Sequence, residues 1–364
     1  MQAGQTSPAH AVWQDNRSVG VLGMGTALPG KAVDTGELLE RVRTRFGIDI
    51  ERQGAALAER LGIRNRYFCR DLVSSLESPR ACDTNAQLAA RALTRALDQA
   101  GLGPNDLDYL IGHTTTPGSL LPPNVAQVAE LVGYRGPYAE FRQACTGFAN
   151  ALIMAFGLLH KAPCGPIAIV GSETGSVFFD PRRITQDSGQ LVNLIQMGDG
   201  AGACVLAPLP SVSAASSISN LFHGNLGPGH APAFSLRAGG SDRKPLSDTV
   251  VEFEHDYRAA SEHGSELFVA ALSAARRTGI DPRTIDFFIP HQANGRIARQ
   301  LAAPLDLPER QIFVNADRVG NTGSAAIWLA LADLRGRLHG GDSVCVLGAE
   351  ATKYMFGGFM YVHH

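Results

Sequence analysis

The sequence predicts an α/β fold built from two duplicated halves, and two repeated motifs are the first evidence for it. AGLGPNDLDYLIGH at residues 100–113 is matched by TGIDPRTIDFFIPH at residues 278–291. GSE at residues 171–173 is matched by GAE at residues 348–350. The offsets of the two matches along the chain agree to within a single position. They indicate an internal duplication of about 180 residues, which is too long for a solenoid repeat.

The order of elements within each half is the second line of evidence. An amphipathic helix pattern ends at a glycine in both halves, at residues 86–101 and 266–279. A short, mostly apolar segment follows, LDYLIG in the first half and IDFFIP in the second. Short apolar strands that alternate with helices are typical of parallel sheets covered on both faces. Two such halves predict a five-layer αβαβα arrangement.

Changes in composition along the chain suggest the domain limits. Residues 1–18 are polar and rich in alanine, lack the apolar core of a signal peptide, and are expected to form a disordered leader. The N-terminal half is predicted over residues 19–205, with a charged inserted cap at about 47–83. The C-terminal half is predicted over residues 206–364. Residues 211–257 are rich in Gly, Ser, Pro and His, so we expect loops and irregular strands there.

The overall composition excludes several classes of protein. Of the 364 residues, 45% are hydrophobic and 18% are charged, which is enough apolar material for a large core. The formal net charge of −2 gives no sign of a nucleic-acid partner. No apolar run reaches the ~18 residues of a membrane-spanning helix. The six cysteines form no CxxC pair, which fits a protein of the reducing cytoplasm better than a disulfide framework.

Cys145 is the first residue that could carry chemistry. It precedes a strongly apolar helical segment within QACTGFANALIMAFGLLH, residues 143–160. A thiol at a helix N-terminus faces unpaired backbone N–H groups and the positive end of the helix dipole, which lowers its pKa. We therefore predict that Cys145 is a nucleophile. The alternative is an unreactive cysteine of the core.

His291 and Asn321 are the second and third candidates. His291 comes directly after a predicted strand, where parallel sheets present their ligands, although a histidine here could also be a capping or core residue. His113 is its counterpart in the first repeat and is expected to be structural, because TTTPG follows it in place of QANGR. Asn321 precedes another apolar helix and could be only a helix cap. The duplication maps Cys145 onto Gly323, close to Asn321, so we expect the three side chains to converge.

Two glycine-rich segments could be mistaken for phosphate loops. GDGAGA at residues 198–203 runs into a strand-like segment, and GMGTALPG at residues 23–30 runs into a proline. Neither shows a strand, then GxGxxG, then a helix, so we predict no dinucleotide site.

With these residues identified, the sequence resembles the β-ketoacyl-ACP synthase III family of the thiolase superfamily. The resemblance rests on ACTGF, HQANGRI, GDGAGA and GNTG, supported by LGMGTALPG and RLGIRNRYF, and it spans roughly residues 19–362. It implies the αβαβα fold, a homodimer and a Cys145–His291–Asn321 catalytic triad. It also implies an acyl-thioester primer, malonyl-ACP (acyl carrier protein) as extender, and no metal or redox cofactor. Gln292 and Asn294, within HQANGRI, are expected to contact substrate.

Departures from the family pattern bear on the primer. The family commonly has a tryptophan that stacks on coenzyme A four residues before the arginine matching Arg60, and here that position is Ala56. The opposing arginine expected before GDGAGA is absent from DSGQLVNLIQM. Leu121 stands where the family has a phenylalanine that limits the acyl pocket across the dimer. The glycine-rich stretch near the C-terminus contains Glu350 and Lys353, which leaves the backbone oxyanion-hole donor undefined.

These departures predict acyl groups longer than acetyl, delivered on a carrier protein, unless another side chain restores coenzyme A binding. A positive rim for an acidic carrier is expected from four arginines: Arg60, Arg64, Arg66 and Arg70.

Two other functions remain open at this point. One is an acyltransferase or chain-to-chain condensing enzyme that works without malonyl decarboxylation. The other is a non-catalytic partner subunit of a synthase, against which the intact Cys145, His291 and Asn321 argue, because such a subunit needs none of them.

Overall fold

The structure is a computed structural model that describes residues 12–70, 72, 83–161, 163–209, 216–237 and 252–364. Its strands are β1 (Val12–Ala27), β2 (Val33–Asp34), β3 (Asn65–Arg66), β4 (Tyr109–His113), β5 (Tyr138–Phe141), β6 (Ile167–Glu173), β7 (Gly200–Pro208), β8 (Ser217–Asn225), β9 (Phe234–Arg237), β10 (Glu252–His255), β11 (Phe287–Pro290), β12 (Ser343–Glu350) and β13 (Met355–Val362). Its α-helices are α1 (Thr35–Phe46), α2 (Glu51–Leu61), α3 (Asn85–Ala100), α4 (Asn124–Val132), α5 (Gly147–Leu159), α6 (Gly189–Gln196), α7 (Tyr257–Arg277), α8 (Ile297–Leu305), α9 (Ala316–Val319) and α10 (Ala326–Arg335).

Nine of these strands form one hydrogen-bonded mixed sheet in the order β11-β12-β13-β8-β1-β7-β6-β4-β5. Strand β4 is parallel to β5 and β6, and β11 is parallel to β12, while the other neighbours are antiparallel. The long strand β1 pairs with β7 through residues 19–27 and with β8 through residues 12–20. It therefore joins the strands of the N-terminal half to those of the C-terminal half.

The strand register reproduces the internal repeat. In the first half Tyr109 of β4 lies beside Ile167 of β6, and in the second half Phe287 of β11 lies beside Val344 of β12. The two pairs are separated along the chain by the same offsets as the two sequence matches. The predicted duplication is confirmed by this register.

The apolar side chains divide the molecule into five layers. Helices α5 and α10 lie in the middle, where Phe148 and Trp328 pack among inward-facing strand residues of both halves. Helices α3 and α4 cover the outer face of the N-terminal strands, and α7 and α8 cover that of the C-terminal strands. Alternate residues of β6 belong to different layers: Ile167 packs in the middle and Ala168 on the outside. The predicted αβαβα fold is therefore confirmed.

Two sequence expectations about segment limits need correction. The predicted leader of residues 1–18 is too long, because Val12 already pairs with Gly224 in the sheet; residues 1–11 lie outside the described residues. The limit at 205 falls inside β7, which continues to Pro208. Residues 211–257 include β8, an interior strand of the sheet that is irregular at Asn220, where φ is 50° and the register shifts against both β1 and β13. The expectation of irregular strands in this segment is therefore confirmed for β8. Within the predicted cap, residues 71 and 73–82 lie outside the described residues.

The glycines of the two supposed phosphate loops have a packing role. A Cβ atom on Gly25 would lie 2.1 Å from the backbone oxygen of Ala92, and one on Gly202 would lie 2.5 Å from Cβ of Trp328. The missing side chains let α3 and α10 pack directly on β1 and β7. None of the described helices combines the length and the hydropathy needed to cross a membrane.

Candidate active site

Cys145 lies between β5 and α5, two residues before the first residue of that helix. Helix α5 is apolar on every side and buried between the two halves, so its position is fixed by packing. A side chain at Gly147 is excluded, because its Cβ would lie 2.7 Å from Nδ1 of His113. The sequence thus holds Cys145 at a rigid helix start in the centre of the molecule.

His291 follows β11 directly, and its backbone N–H donates to the carbonyl oxygen of Leu347 at 2.8 Å. The side chain is 5% exposed, and burial lowers its pKa to about 4. Its Nδ1 atom is buried and has no hydrogen-bond partner among the described residues. The imidazole is therefore neutral at physiological pH and can donate only one N–H.

Asn321 is fixed by a contact between two backbone segments. Its N–H donates to the carbonyl oxygen of Gln196 at 2.8 Å, and its own carbonyl oxygen accepts from the N–H of Gly198 at 2.9 Å. A Cβ on Gly198 would lie 2.1 Å from the backbone oxygen of Val319, so only glycine allows this approach. The side-chain Oδ1 accepts from the N–H of Gly323 at 3.1 Å, which leaves the NH₂ group to act as a donor.

The three predicted catalytic residues line one cavity of about 140 Å³. The opposite wall is mostly apolar and comes from the β9 region, α7 and the β12–β13 turn: Phe234, Ala260, Leu267, Phe268, Ala351 and Tyr354. A larger cleft of about 980 Å³ lies between α1, α2 and the start of α8, but none of the three residues lines it. The three predicted catalytic residues are therefore brought together in the smaller cavity.

The protonation state of Cys145 differs from the sequence prediction. Burial raises the pKa of the thiol well above its ordinary value, and the nearby Glu350 and Glu173 carboxylates raise it further. The predicted lowering of this pKa by the helix start was wrong, because the thiol is buried and the helix start already has a carboxylate bound to it. At physiological pH Cys145 is therefore a neutral thiol.

Glu350 and Glu173 are the site residues that the sequence reasoning missed. Oε2 of Glu350, at the end of β12, accepts from N–H of Thr146 at 2.9 Å and from its hydroxyl at 2.7 Å. Oε2 of Glu173, at the end of β6, accepts from N–H of Ser324 at 3.1 Å and from its hydroxyl at 2.8 Å. Each carboxylate therefore caps the central helix of the other half. The sequence signal was present, since GSE and GAE are the repeated tripeptides and Thr146 and Ser324 occupy equivalent positions of the same repeat.

The remaining contacts differ between the two carboxylates. Oε1 of Glu173 accepts from Thr115 and Thr116 and is enclosed. Oε1 of Glu350 accepts from the partly exposed Thr352. Both glutamates are almost fully buried and both line the cavity.

His113 has the structural role that the sequence predicted. It is 1% exposed, and its Nε2 accepts from the indole N–H of Trp328 at 3.0 Å. Burial lowers its pKa to about 3, so the ring stays neutral and acts as an acceptor within the core.

Two of the predicted substrate contacts are structural instead. Gln292 is fully buried, with its side chain bonded to backbone atoms of Pro290, Phe313 and Asn315. Asn294 accepts from the N–H of Arg296 at 2.8 Å and donates to Gln300, so it fixes the start of α8. Neither residue lines the cavity, because both side chains are used to hold the loop that positions His291.

The other three predicted contacts lie away from the cavity. Ala56 and Arg60 are exposed on α2, and Leu121 is 83% exposed.

Arg66 cannot belong to a positive rim, because it is 0% exposed and donates to the backbone oxygens of Val33 and Ile195. Burial lowers its pKa to about 10. Arg70 donates to the backbone oxygen of Phe179, so the exposed members of the predicted rim are Arg60 and Arg64.

Comparison with known proteins places this geometry in a family context. The 3-oxoacyl-(acyl-carrier-protein) synthase III family matches residues 139–220, and the C-terminal family of the same enzymes matches residues 275–358. The β-ketoacyl-(acyl-carrier-protein) synthase III of Brucella anthropi is 29% identical over 357 residues, covering 95% of this chain and 97% of the relative. That of Clostridioides difficile is 27% identical over 346 residues, covering 92% of this chain and 95% of the relative. Among solved structures, AbyA1, a tetronic acid condensing enzyme, superimposes with a TM-score of 0.83 at 28% identity, covering 94% of this chain and 99% of that chain.

Proposed function

Because the chain is a homologue of the β-ketoacyl-ACP synthases III, and so an acyltransferase-type condensing enzyme of the thiolase superfamily, we propose that it condenses a Cys145-bound acyl group with malonyl-ACP. The reaction releases CO₂ and gives a β-ketoacyl-ACP for a fatty-acid or polyketide pathway. One observation carries the proposal: a thiol, a neutral imidazole and a carboxamide from three separate segments line the same cavity.

In the first step Sγ of Cys145 attacks the carbonyl carbon of the acyl thioester. The acyl–sulfur bond to the carrier breaks as the new one forms, and the thiol proton ends on the departing carrier thiol. One thioester replaces another, so the exchange is close to isoenergetic and requires neither a metal nor a redox cofactor.

In the second step His291 and Asn321 hydrogen-bond the thioester oxygen of malonyl-ACP while the bond to CO₂ breaks. The electron pair left behind forms an enolate, whose oxygen receives the Nε2–H of neutral His291 and the NH₂ group of Asn321. Each donor is expected to stabilise this charge by about 2–4 kcal/mol. The enolate carbon then attacks the acyl carbonyl on Cys145, and the released thiolate takes up a proton from water.

We propose that the primer is an uncharged acyl chain longer than acetyl, delivered by a carrier protein. Support comes from Ala56, which offers no ring to stack on adenine, and from the apolar cavity wall. Arg60 and Arg64 are exposed and would be the basic contacts for the carrier, although Arg64 also pairs with Asp317. A competition between acetyl-CoA and medium-chain acyl-ACP for acylation of Cys145 tests this, and a clear preference for acetyl-CoA contradicts it.

We further propose a homodimer that pairs through strand β5 and functions in the cytoplasm. Strand β5 lies at one end of the nine-stranded sheet, and four large apolar residues nearby are 42–83% exposed: Leu120, Leu121, Leu131 and Tyr138. A sheet edge beside exposed apolar side chains favours pairing with a second copy. Five cysteines among the described residues are free thiols, as expected in a reducing compartment.

The catalytic proposal is tested by separating the two steps. Cys145→Ala should abolish covalent acylation, seen by intact-protein mass spectrometry. His291→Ala and Asn321→Ala should keep acylation of Cys145 but lose release of ¹⁴CO₂ from labelled malonyl-ACP. His339→Ala is a matched control, because that histidine side chain is 91% exposed. Decarboxylation at the wild-type rate in both His291→Ala and Asn321→Ala would show that the assigned roles are wrong.

A second candidate is condensation with an acceptor that loses a proton instead of CO₂. Two observations favour it: the similarity to AbyA1, and the presence of Glu350 and Glu173 in the cavity as possible proton acceptors. The two functions differ in stoichiometry. Release of one CO₂ per new carbon–carbon bond supports the first, and a condensed product without CO₂ supports the second.

A further inference from the structure

The charge balance of the cavity is unusual for a site that handles acyl groups. Its lining contains six titratable side chains from different elements: Cys145, Glu173, His255, His291, Glu350 and Tyr354. The pKa values of His255 and His291 are both lowered to about 4 by burial, so both rings are neutral at physiological pH. Burial raises the pKa of Tyr354, so the phenol is neutral as well. Glu173 and Glu350 each accept hydrogen bonds from a backbone N–H and a hydroxyl, which is the pattern of a carboxylate. The described lining residues include no lysine or arginine.

Glu350 is the carboxylate placed closest to the chemistry. Its Oε2 atom is bonded to the backbone N–H of Thr146, the residue next to the nucleophile. Glu173 is bonded at the equivalent place of the second half, beside Gly323, where the repeat has no thiol. Of the two carboxylates, Glu350 raises the pKa of the Cys145 thiol more. Lys353, three residues further on, donates to the backbone oxygen of His230 and is not paired with Glu350.

We propose that Glu350 is a specificity-determining residue that admits uncharged acyl groups to Cys145 and rejects acyl groups ending in a carboxylate. The inference rests on the proposed function only for the role of Cys145 as the acyl carrier. A carboxylate on the bound acyl chain would be a third negative charge in a buried cavity with no cation among the described lining residues. Like charges held a few ångströms apart in such an environment repel strongly. The same repulsion acts on the malonyl carboxylate of the proposed extender, but it is relieved when CO₂ leaves. A dicarboxylic acyl group bound to Cys145 keeps its charge, so the enzyme would avoid loading its nucleophile with one.

The direct test compares iodoacetamide with iodoacetate as alkylating agents of Cys145. The two reagents have almost the same size and attack the same thiolate, so the ratio of their rate constants cancels any change in the thiol pKa and reports charge discrimination alone. For the wild type, the rate constant with iodoacetamide is divided by that with iodoacetate, and this ratio is divided by the same ratio for free N-acetylcysteine. The result should be about ten or more. In Glu350→Gln it should fall by about tenfold, whereas Glu350→Asp should keep most of the discrimination.

Two controls separate the charge of Glu350 from other effects. Glu59→Gln changes the net charge equally at an exposed site on α2 and should leave the ratio unchanged. Glu173→Gln should lower the ratio less than Glu350→Gln. An unchanged ratio in folded Glu350→Gln overturns the proposal. A wild-type ratio no higher than that of N-acetylcysteine overturns it without any variant.

The same selection should be seen with acyl donors. Pentanoyl and succinyl thioesters of N-acetylcysteamine, a small neutral carrier, should acylate wild-type Cys145 with a strong preference for pentanoyl. Glu350→Gln should raise the succinyl rate relative to the pentanoyl rate by about tenfold, and equal changes in both rates contradict the proposal. Alkylation of Cys145 needs no catalysis, so failure of the proposed function can be told apart from failure of the Glu350 proposal. Absence of acylation with both donors would count against the proposed function. The alkylation ratio tests the role of Glu350 alone.

Discussion

Lowering the pH from 7 to 5 should destabilise the folded protein through its buried histidines. His113 and His291 are 1% and 5% exposed, and their pKa values in the folded state are about 3 and about 4. Their pKa values in the unfolded chain are about 6.5. A group whose pKa is lower in the folded protein than in the unfolded chain stabilises the fold fully at a pH above its unfolded-chain pKa. That stability is lost as the pH falls toward the pKa of the folded protein. Below pH 6.5 the unfolded chain takes up protons that the folded core excludes.

The magnitude follows from these values. Each pH unit between the two pKa values contributes about 1.4 kcal/mol for each histidine, so about 2 kcal/mol for each is lost by pH 5. Asp199 acts in the opposite direction, because burial raises its folded-state pKa to about 6 and folding then takes up a proton. Its gain between pH 6 and pH 5 is about 1.4 kcal/mol. Burial also lowers the folded-state pKa of His255 to about 4, which adds a loss of about 2 kcal/mol. The net loss of unfolding free energy is therefore about 5 kcal/mol, a large part of the stability of an ordinary protein.

Urea unfolding followed by circular dichroism at half-unit pH steps measures this dependence. His113→Gln removes one titrating group and should reduce the slope between pH 6.5 and 5 by about two fifths, whatever it does to stability at pH 7. His339→Ala, at an exposed position, should leave the slope unchanged. A wild-type unfolding free energy that is flat or rises between pH 6.5 and 5 would refute the reasoning.

Three further predictions concern the nucleophile, the core and the dimer. Burial and Glu350 raise the pKa of Cys145, so iodoacetamide at pH 7 should label Cys145 at least about threefold more slowly than it labels N-acetylcysteine. A pH dependence of the labelling rate with its midpoint below about pH 8.5 contradicts this. Trp328→Phe leaves Nε2 of His113 without its donor and should cost about 1–3 kcal/mol in urea unfolding; an unchanged midpoint would mean that the bond contributes nothing. Leu121→Asp should convert the proposed dimer to monomer in sedimentation velocity, and a wild-type sedimentation coefficient argues against that interface.

The repeated motifs explain why the layered fold could be predicted. AGLGPNDLDYLIGH and TGIDPRTIDFFIPH each contain a complete helix end, turn and strand, so local patterns were sufficient to place β4 and β11 in equivalent positions. The convergence of Cys145 and Asn321 followed from the same symmetry. Segments without a repeat were harder. The composition of residues 211–257 predicted irregular strands but not that β8 pairs between β1 and β13, which are distant from it along the chain.

The side-chain environments could not be derived in the same way. Glu350 is buried because Thr146, more than two hundred positions earlier, offers it an N–H and a hydroxyl. Arg66 looked like a surface charge but is enclosed by backbone oxygens from β2 and α6. Gln292 and Asn294 have the polarity of ligand-binding residues and are used for loop geometry. Local composition says nothing about such partners, which only the folded chain brings together.

The position of strand β13 in the sheet has a consequence for how the chain folds. Strand β13 is an interior strand that pairs with both β8 and β12. Until β13 is in place, β8 and β12 each expose a row of unpaired backbone groups, which is the kind of edge on which chains associate wrongly. Strand β1 likewise pairs with β7 and β8, which follow roughly 180 residues later. We therefore expect slow folding that is completed only when β13 is in place, and a chain from which β13 is deleted should accumulate as aggregate.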